Sequence, residues 1–249
     1  MNIRNVKSKI NILLNINKVT NIMSMISFSK IKKNFNKCLI LNKLFLETKK
    51  IIFEIYNFQN NNFFCCILIT TNKGYCGNIN NEVINFSLKF LKNNKNLDLI
   101  IIGQKSIDFF NKRNFSIKKK IIFNEKKEIF FSNEILNILN LYENVFFLSS
   151  KIINNNVKII KTNLFEKIKK KFYEINIEKK KFINTYINFT LNYLYFENYF
   201  VELKLRMITM KSASDNSKKI ANNMNIIKNK VRQFKVTQEM LEIINSINL

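Results

Sequence analysis

The first part of the chain carries apolar residues at alternating steps of four and three. They are Ile12, Ile16, Val19, Met23 and Ile26. This spacing places one face of a helix against a partner helix, as in a coiled coil. Proline and glycine, which interrupt helices, do not occur before residue 74. We therefore predict one long helix over residues 3–57.

The last part repeats the pattern over more than four heptads and admits small or polar residues to the seam. The seam positions are Ala213, Ser217, Ile220, Met224, Ile227, Val231, Phe234, Gln238, Leu241 and Asn245. This predicts a second helix over residues 178–247. At 1.5 Å per residue the two helices are roughly 80 and 105 Å long, too long for burial in a compact domain. We predict that they pack together as an antiparallel coiled coil.

Between the two helices the pattern changes to short apolar runs. Residues 63–70 (FFCCILIT) are typical of a strand buried on both faces. Further elements are predicted as helices at 80–91, 104–111 and 129–141 and strands at 97–102, 144–149 and 157–162. Alternating strands and helices predict a small parallel sheet with helices on its faces.

The predicted fold class is thus α/β plus a long coiled coil. An antiparallel two-helix coiled coil, formed by the N- and C-terminal helices, carries a small central Rossmann-like α/β domain. The corresponding segments are 1–60 for the first helix, 61–176 for the α/β domain (the foot) and 177–249 for the second helix.

Composition excludes several kinds of active site. The 249 residues include no histidine, which removes Ser/His/Asp and Cys/His catalysis and histidine-ligated metals. The four cysteines (Cys38, Cys65, Cys66 and Cys76) lack paired CxxC spacing, so we expect free thiols in a reducing compartment. No apolar stretch approaches the length needed to span a bilayer, and we expect a soluble intracellular protein.

The charge leaves one alternative open. Forty-two Lys and Arg against 17 Asp and Glu give +25, and lysine runs at 118–120, 169–171 and 179–181 have aromatic residues nearby. A basic coiled-coil protein that binds nucleic acid would have such a composition. However, the chain is rich in Lys, Asn, Ile and Phe and has only two alanines and no proline. Drift in an AT-rich genome therefore accounts for part of the charge.

The glycine loop at residues 70–80, TTNKGYCGNIN, follows the first predicted strand. Its G-x-x-G spacing is neither of the glycine patterns that hold phosphate, so we expect a tight turn between strand and helix. Cys76 lies in this loop, but no histidine is present to activate it as a nucleophile.

Two C-terminal stretches depart from the composition of the rest of the chain. Residues 206–216 read RMITMKSASDN, and residues 229–244 read NKVRQFKVTQEMLEII. They resemble the RMxAMKxATDN and NKxRQxxITxEixEI signatures of the gamma subunit of F-type ATP synthase. Further likenesses are VKSKI at 6–10 to IRSKI, SKIKK at 29–33 to SKMRK, KGYCG at 73–77 to RGLCG and IGQK at 102–105 to IGSK. The resemblance runs from end to end.

The resemblance implies a rotor. In that family the coiled coil sits inside a ring of three alpha and three beta subunits, and the foot meets the epsilon subunit and the membrane c-ring. Proton flow turns the shaft, and its asymmetry places the beta sites in different states. The resemblance also implies no catalytic residue, metal or cofactor on this chain. It implies a peripheral position on the cytoplasmic face of a bacterial-type inner membrane, with the mitochondrial inner membrane less favoured.

The resemblance also assigns roles to particular residues. Positions expected to meet the alpha and beta subunits are Arg232, Gln233, Thr237, Gln238, Glu239, Met23, Lys30, Lys32 and Lys33. Positions expected at the foot are Tyr173 and Glu174. The chain departs from the family pattern at Asn72, Lys73, Tyr75 and Asn78, where Asp, Arg, Leu and Gly are usual.

Overall fold

The computed structural model describes residues 3–55, 64–93, 97–123, 131–139, 142, 144–154, 156–164 and 179–247. The chain forms two compact units. One contains Met1–Ser29 and Arg206–Leu249, and the other contains Lys30–Leu205. Two long helices contribute to both units: α1 (Ile3–Ile55) and α5 (Lys179–Ile247). The first unit is called the coil unit below, and the second the α/β unit.

In the coil unit, α1 and α5 run antiparallel. The Asn17 side chain donates a hydrogen bond to the carbonyl of Ser214 (2.7 Å), and the Ser24 hydroxyl donates one to the carbonyl of Met207 (3.1 Å). From the first hydrogen bond to the second, the residue number rises by seven on α1 and falls by seven on α5. The two helices therefore run in opposite directions. The predicted antiparallel pairing is confirmed.

The α/β unit is built on a five-stranded sheet. Its strands are β1 (Phe64–Ile69), β2 (Leu97–Ile102), β3 (Lys119–Ile121), β4 (Asn144–Ile153) and β5 (Asn156–Asn163), and its shorter helices are α2 (Ile79–Asn93), α3 (Gln104–Lys112) and α4 (Asn133–Leu139). The strand order is β3-β2-β1-β4-β5. The first four strands are parallel, whereas β5 is antiparallel to β4.

Alternate residues of β1 point into different halves of the core. Cys65, Ile67 and Ile69 pack with residues of α1, α4 and α5, while Cys66 and Leu68 pack with residues of α2 and α3. All five are fully buried. This explains why β1 is apolar at every position, since a central strand with helices on both faces has no solvent side.

The loop after β1 is held by its own polar groups. The Asn72 side chain donates to the carbonyl of Phe123 (3.0 Å) and accepts from the backbone N–H of Gln104 (3.2 Å). Asn72 therefore links the segments that follow β1, β2 and β3, and it accepts a hydrogen bond from the first backbone N–H of α3. An ionised Asp at this position could accept the second hydrogen bond but could not donate the first.

The predicted fold class is confirmed, but two features of the sheet correct the sequence prediction. The sheet is mixed, because β5 returns beside β4 after a short turn with Asn154 at φ 50°. Strand β3 lies in the lysine-rich segment and was not predicted, because its three residues contain no apolar run. The helix predicted over 129–141 is described only as Asn133–Leu139.

Candidate partner-binding surface

The helices of the coil unit meet along small side chains. Among the described residues, those buried between α1 and α5 follow heptad steps in both helices. On α1 they include Val6, Ile10, Ser24 and Ser27, and on α5 they include Met210, Ser214, Ser217 and Ala221. Serine and alanine let two helices approach closely, and the serine hydroxyls can donate to backbone carbonyls.

This seam corrects the sequence prediction. The predicted positions on α1 are each displaced by one residue from the half-buried or buried ones, so that Met23 is exposed and Ser24 is buried. On α5, Ser217, Met224 and Val231 were placed correctly. Ile220, by contrast, is 48 % exposed while Ala221 is 1 % exposed. The sequence prediction placed mostly large apolar residues in the seam, whereas several of the buried seam positions hold serine or alanine.

Because the buried seam lies one residue away from the predicted one on α1, many large apolar side chains are exposed on the outside of the coil unit. They include Ile12, Ile16, Val19, Ile22, Met25, Ile26, Phe28, Ile208, Ile220 and Ile226. So many exposed large apolar side chains on one pair of helices are typical of an interaction site. A groove of about 740 Å³, bordered by Met25, Phe28 and Met207, runs along the same surface.

The exposed surface is also basic. The described part of the coil unit has 12 Lys and Arg and 3 Asp and Glu. One of those acids, Asp215, lies 3.6 Å from the ammonium of Lys211 on the same helix. Most of the positive charge is therefore not matched by acids of its own unit, which suits an acidic partner surface.

Beyond the seam, α5 continues without a described partner helix. Extending the register of the Asn17–Ser214 pair, Ile3 at the start of α1 lies level with Lys228. All residues from 232 to 246 are exposed, including Phe234 at 71 %. This segment, 232–247, is called the overhang, and at 1.5 Å per residue it is about 24 Å long. The seam predicted through Phe234, Gln238, Leu241 and Asn245 is therefore wrong in this region.

Five of the predicted partner-binding residues lie on the overhang, and all are exposed. At 100° per residue, Arg232 and Glu239 share one face, while Gln233 and Thr237 share the next. The Thr237 hydroxyl donates to the carbonyl of Gln233, and the Gln238 side chain donates to Glu242. These hydrogen bonds lie within the helix, so the functional groups remain accessible.

The other predicted residues are distributed differently. Met23 is 39 % exposed in the coil unit. Lys32 and Lys33 are exposed and Lys30 is half-buried in the α/β unit. Tyr173 and Glu174 lie outside the described residues.

The described residues offer little for catalysis. Cys76 is buried within the loop, where Asn80 donates a hydrogen bond to its sulfur. Burial raises the pKa of the Cys66 thiol to about 12, and burial also raises the pKa of Cys65. The described residues contain no group of three or more Cys, Asp or Glu that could hold a metal ion. Among these residues, no helix has the length and apolarity required to cross a membrane.

The fold and the exposed surface together define a class of protein: a two-helix coiled coil combined with a small α/β unit, with exposed apolar and basic surface of the kind found at interaction sites. A family model described as ATP synthase matches residues 2–248. The chain is 32 % identical to the ATP synthase gamma chain of Buchnera aphidicola subsp. Melaphis rhois, with 98 % of this chain and 96 % of the relative covered. It is 27 % identical to that of Mycoplasma capricolum, with 99 % and 98 % covered. The chain belongs to the ATP synthase gamma chain family.

Solved structures give the same fold. A chain of the Euglena gracilis mitochondrial ATP synthase, in a structure of its OSCP, F1 and c-ring in rotational state 3, superposes with a TM-score of 0.77. The identity is 16 %, and 99 % of this chain and 93 % of that chain are covered. A chain from the rotor of the same enzyme gives a TM-score of 0.74 at 15 % identity, with 94 % and 98 % covered.

These matches confirm the family recognised from the motifs. They give the nucleic-acid-binding alternative no support. The motifs were sufficient to identify the family because they occur in both long helices and in the loop after β1. The sequence holds one signal for the small-residue seam, because Ala221 is one of only two alanines and stands in heptad register with Ser214 and Ser217, but this signal does not by itself identify the buried face.

Proposed function

We propose that this chain is the central-stalk rotor subunit of a proton-driven ATP synthase. It couples proton flow through the membrane c-ring to ATP synthesis at the beta subunits by rotating within a ring of three alpha and three beta subunits. The observation that carries this proposal is the overhang, a single helix with exposed apolar and polar residues on all sides. Family membership supports the same role.

The physical basis of coupling is an asymmetric surface. At the level of Ser24 the coil unit presents two helices, whereas along the overhang the described residues present only α5. A shaft with such a surface binds each beta conformation with a different free energy. Turning the shaft by a third of a revolution therefore changes which conformation each beta subunit favours. The positive charge of the coil unit suits contact with acidic segments of beta.

The chain itself does no chemistry in this proposal. It has no catalytic site and uses no cofactor or metal, and ATP is made on beta. Lys30, Lys32, Lys33 and Met23 contact beta, and Arg232, Gln233, Thr237, Gln238 and Glu239 contact the alpha and beta subunits near the end of the shaft. Tyr173 and Glu174 belong to the foot, which meets epsilon and the c-ring. The protein is then peripheral, at the cytoplasmic face of a bacterial-type inner membrane.

The test is native mass spectrometry of the complex purified through this chain, with ATPase activity measured on the same sample. We expect one copy with three alpha and three beta subunits, and ATP hydrolysis. Recovery of a monomer bound to nucleic acid, without ATPase activity, would contradict the proposal.

A substitution tests the overhang. Arg232→Ala removes a guanidinium able to form a bidentate contact with a carboxylate, and we expect coupled ATP turnover or assembly to fall about tenfold. Circular dichroism of the isolated chain should be unchanged, because Arg232 is exposed on α5. Lys112→Ala, an exposed charge at the end of α3, is the matched control and should leave turnover unchanged. Loss of helix content in Arg232→Ala would instead make that residue structural.

A further inference from the structure

A small cavity opens on the α/β unit between α1, β4 and α5. Its volume is about 180 Å³. The apolar part of its lining includes Phe35 and Leu39 from α1 and Phe200 from α5. The rings of Phe35 and Phe200 lie 6.2 Å apart at 43°, so they contact each other and form one aromatic side of the cavity.

A polar corner completes the lining. Lys151 on β4 donates to Glu197 of α5 (3.0 Å) and to the hydroxyl of Tyr193 (2.7 Å). These bonds use two of the three ammonium hydrogens, and within the described residues the third has no acceptor. Asn42 also lines the cavity, and its amide makes no hydrogen bond to another described residue. The cavity therefore brings the Lys151 ammonium and the Asn42 amide together with apolar walls.

The carboxyl group in this corner, that of Glu197, is largely shielded from water. The Glu197 side chain is only 13 % exposed, and burial raises the pKa of its carboxyl group. The Lys151–Glu197 pair carries no net charge when both groups are ionised. An anionic ligand would meet the Glu197 carboxylate, and a cationic ligand would meet the Lys151 ammonium. A neutral ligand with an oxygen acceptor avoids both costs.

One lining residue of the cavity, Lys151, lies near the carboxyl end of β1. Strand β1 pairs with β4 as far as Leu68 opposite Leu148, and Lys151 lies three residues further along β4. Strands β2 and β3 extend the sheet from one side of β1, and β4 lies on the other. Lys151 is thus beyond the carboxyl end of β1, where the strand order reverses. In open α/β sheets, ligands bind near this edge of the sheet, and here the lining comes from β4 and the two long helices rather than from the loop after β1.

We propose that this cavity binds a neutral, ring-sized molecule carrying one hydroxyl or carbonyl group. The oxygen accepts a hydrogen bond from Lys151, and the ring lies against Phe35 and Phe200. The volume suits this size, since a cavity of about 150 Å³ engineered in another protein binds benzene. A bound molecule joins α1, β4 and α5, so it stabilises the places where both long helices meet the sheet.

The experiment uses the full chain and three probes: benzyl alcohol, toluene and benzoate. Binding is measured by ligand-observed NMR titration and by the shift in Tm. We expect benzyl alcohol to bind about tenfold more tightly than either of the others and to raise Tm. Equal affinity for toluene would mean that no oxygen is recognised, and equal affinity for benzoate would contradict the neutral ligand. Absence of binding by all three would overturn the proposal.

Two variants locate the binding. Leu39→Trp fills the cavity from a position that is 47 % exposed and should weaken benzyl alcohol binding about tenfold or more. Leu46→Trp lies on the same helix, is 51 % exposed and does not line the cavity, so its affinity should stay within about twofold. Circular dichroism checks that both variants fold. Unchanged affinity in Leu39→Trp would place the binding elsewhere.

Discussion

The side-chain amide of Asn17 on α1 donates hydrogen bonds to both the carbonyl and the hydroxyl of Ser214 on α5, at 2.7 and 2.9 Å. The two residues are 197 positions apart in the chain. Their contact lies in the seam, where a polar pair limits sliding of one helix along the other, because any other register leaves the half-buried amide without its partners.

Replacing Asn17 by Ala should lower the free energy of unfolding by about 1 kcal/mol, because the hydrogen bonds to Ser214 are lost. Chemical denaturation of the isolated chain followed by circular dichroism measures the change. Asn15→Ala, at an exposed position on the same helix, is the control and should change stability by less than about 0.5 kcal/mol. Equal effects of the two substitutions would mean that the polar pair contributes nothing to pairing.

Replacing Ala221 by Leu should destabilise the coil unit by about 1–3 kcal/mol, because a larger side chain cannot fit between closely packed helices. Ile220→Leu is the matched control, since Ile220 is 48 % exposed and was the position predicted for the seam. Thermal denaturation of both variants gives the comparison. A larger loss of stability for Ile220→Leu would mean that Ile220, as predicted from the sequence, lies in the buried seam instead of Ala221.

Replacing Gly103 by Ala should destabilise the α/β unit by about 3 kcal/mol or more. Gly103 has φ +110°, and a Cβ atom there would lie 2.3 Å from the carbonyl oxygen of Thr70. Gly74→Ala is the control, because its Cβ would meet only the end of Lys105 at 3.8 Å. Expression yield and chemical denaturation report the difference. Tolerance of alanine at Gly103 would require a rearranged junction between β2 and α3.

The Asp98 cluster should make stability depend on acid pH. Partial burial acts to raise the pKa of Asp98, but hydrogen bonds from Lys118 and Tyr142 outweigh it and hold the pKa below its usual value. A lowered pKa in the folded state stabilises the fold above the unfolded value, near 4, and this contribution is lost as the pH falls through the folded value.

Asp98→Asn should therefore reduce the loss of stability between pH 5 and pH 2, by less than about 1 kcal/mol, since the side chain is 43 % exposed and screened by solvent. Urea denaturation across this range measures the change. Tyr142→Phe, which keeps the carboxylate and removes one donor, should show an intermediate dependence. Identical pH profiles for the wild type and Asp98→Asn would contradict the role of the cluster.

Much of this protein follows from its sequence. Both long helices could be predicted because no proline or glycine interrupts them, and β1 and β2 because each is a continuous apolar run. The contacts of Asn72 could not, since they depend on Phe123 and Gln104, which are distant in sequence. The partner-binding positions on the overhang came from the motifs, and their exposure is consistent with that role.

The secondary structure of the long elements, the antiparallel pairing and the family follow from the amino-acid order alone. Local periodicity and order of motifs are sufficient for these properties. The buried face of each helix, the antiparallel direction of β5 and the extension of α5 beyond α1 among the described residues are evident only in the folded chain. The reason is that burial depends on the partner surface: Ser24, Ser214 and Ala221 are buried between the two helices, whereas larger neighbours such as Met23 and Ile220 remain exposed.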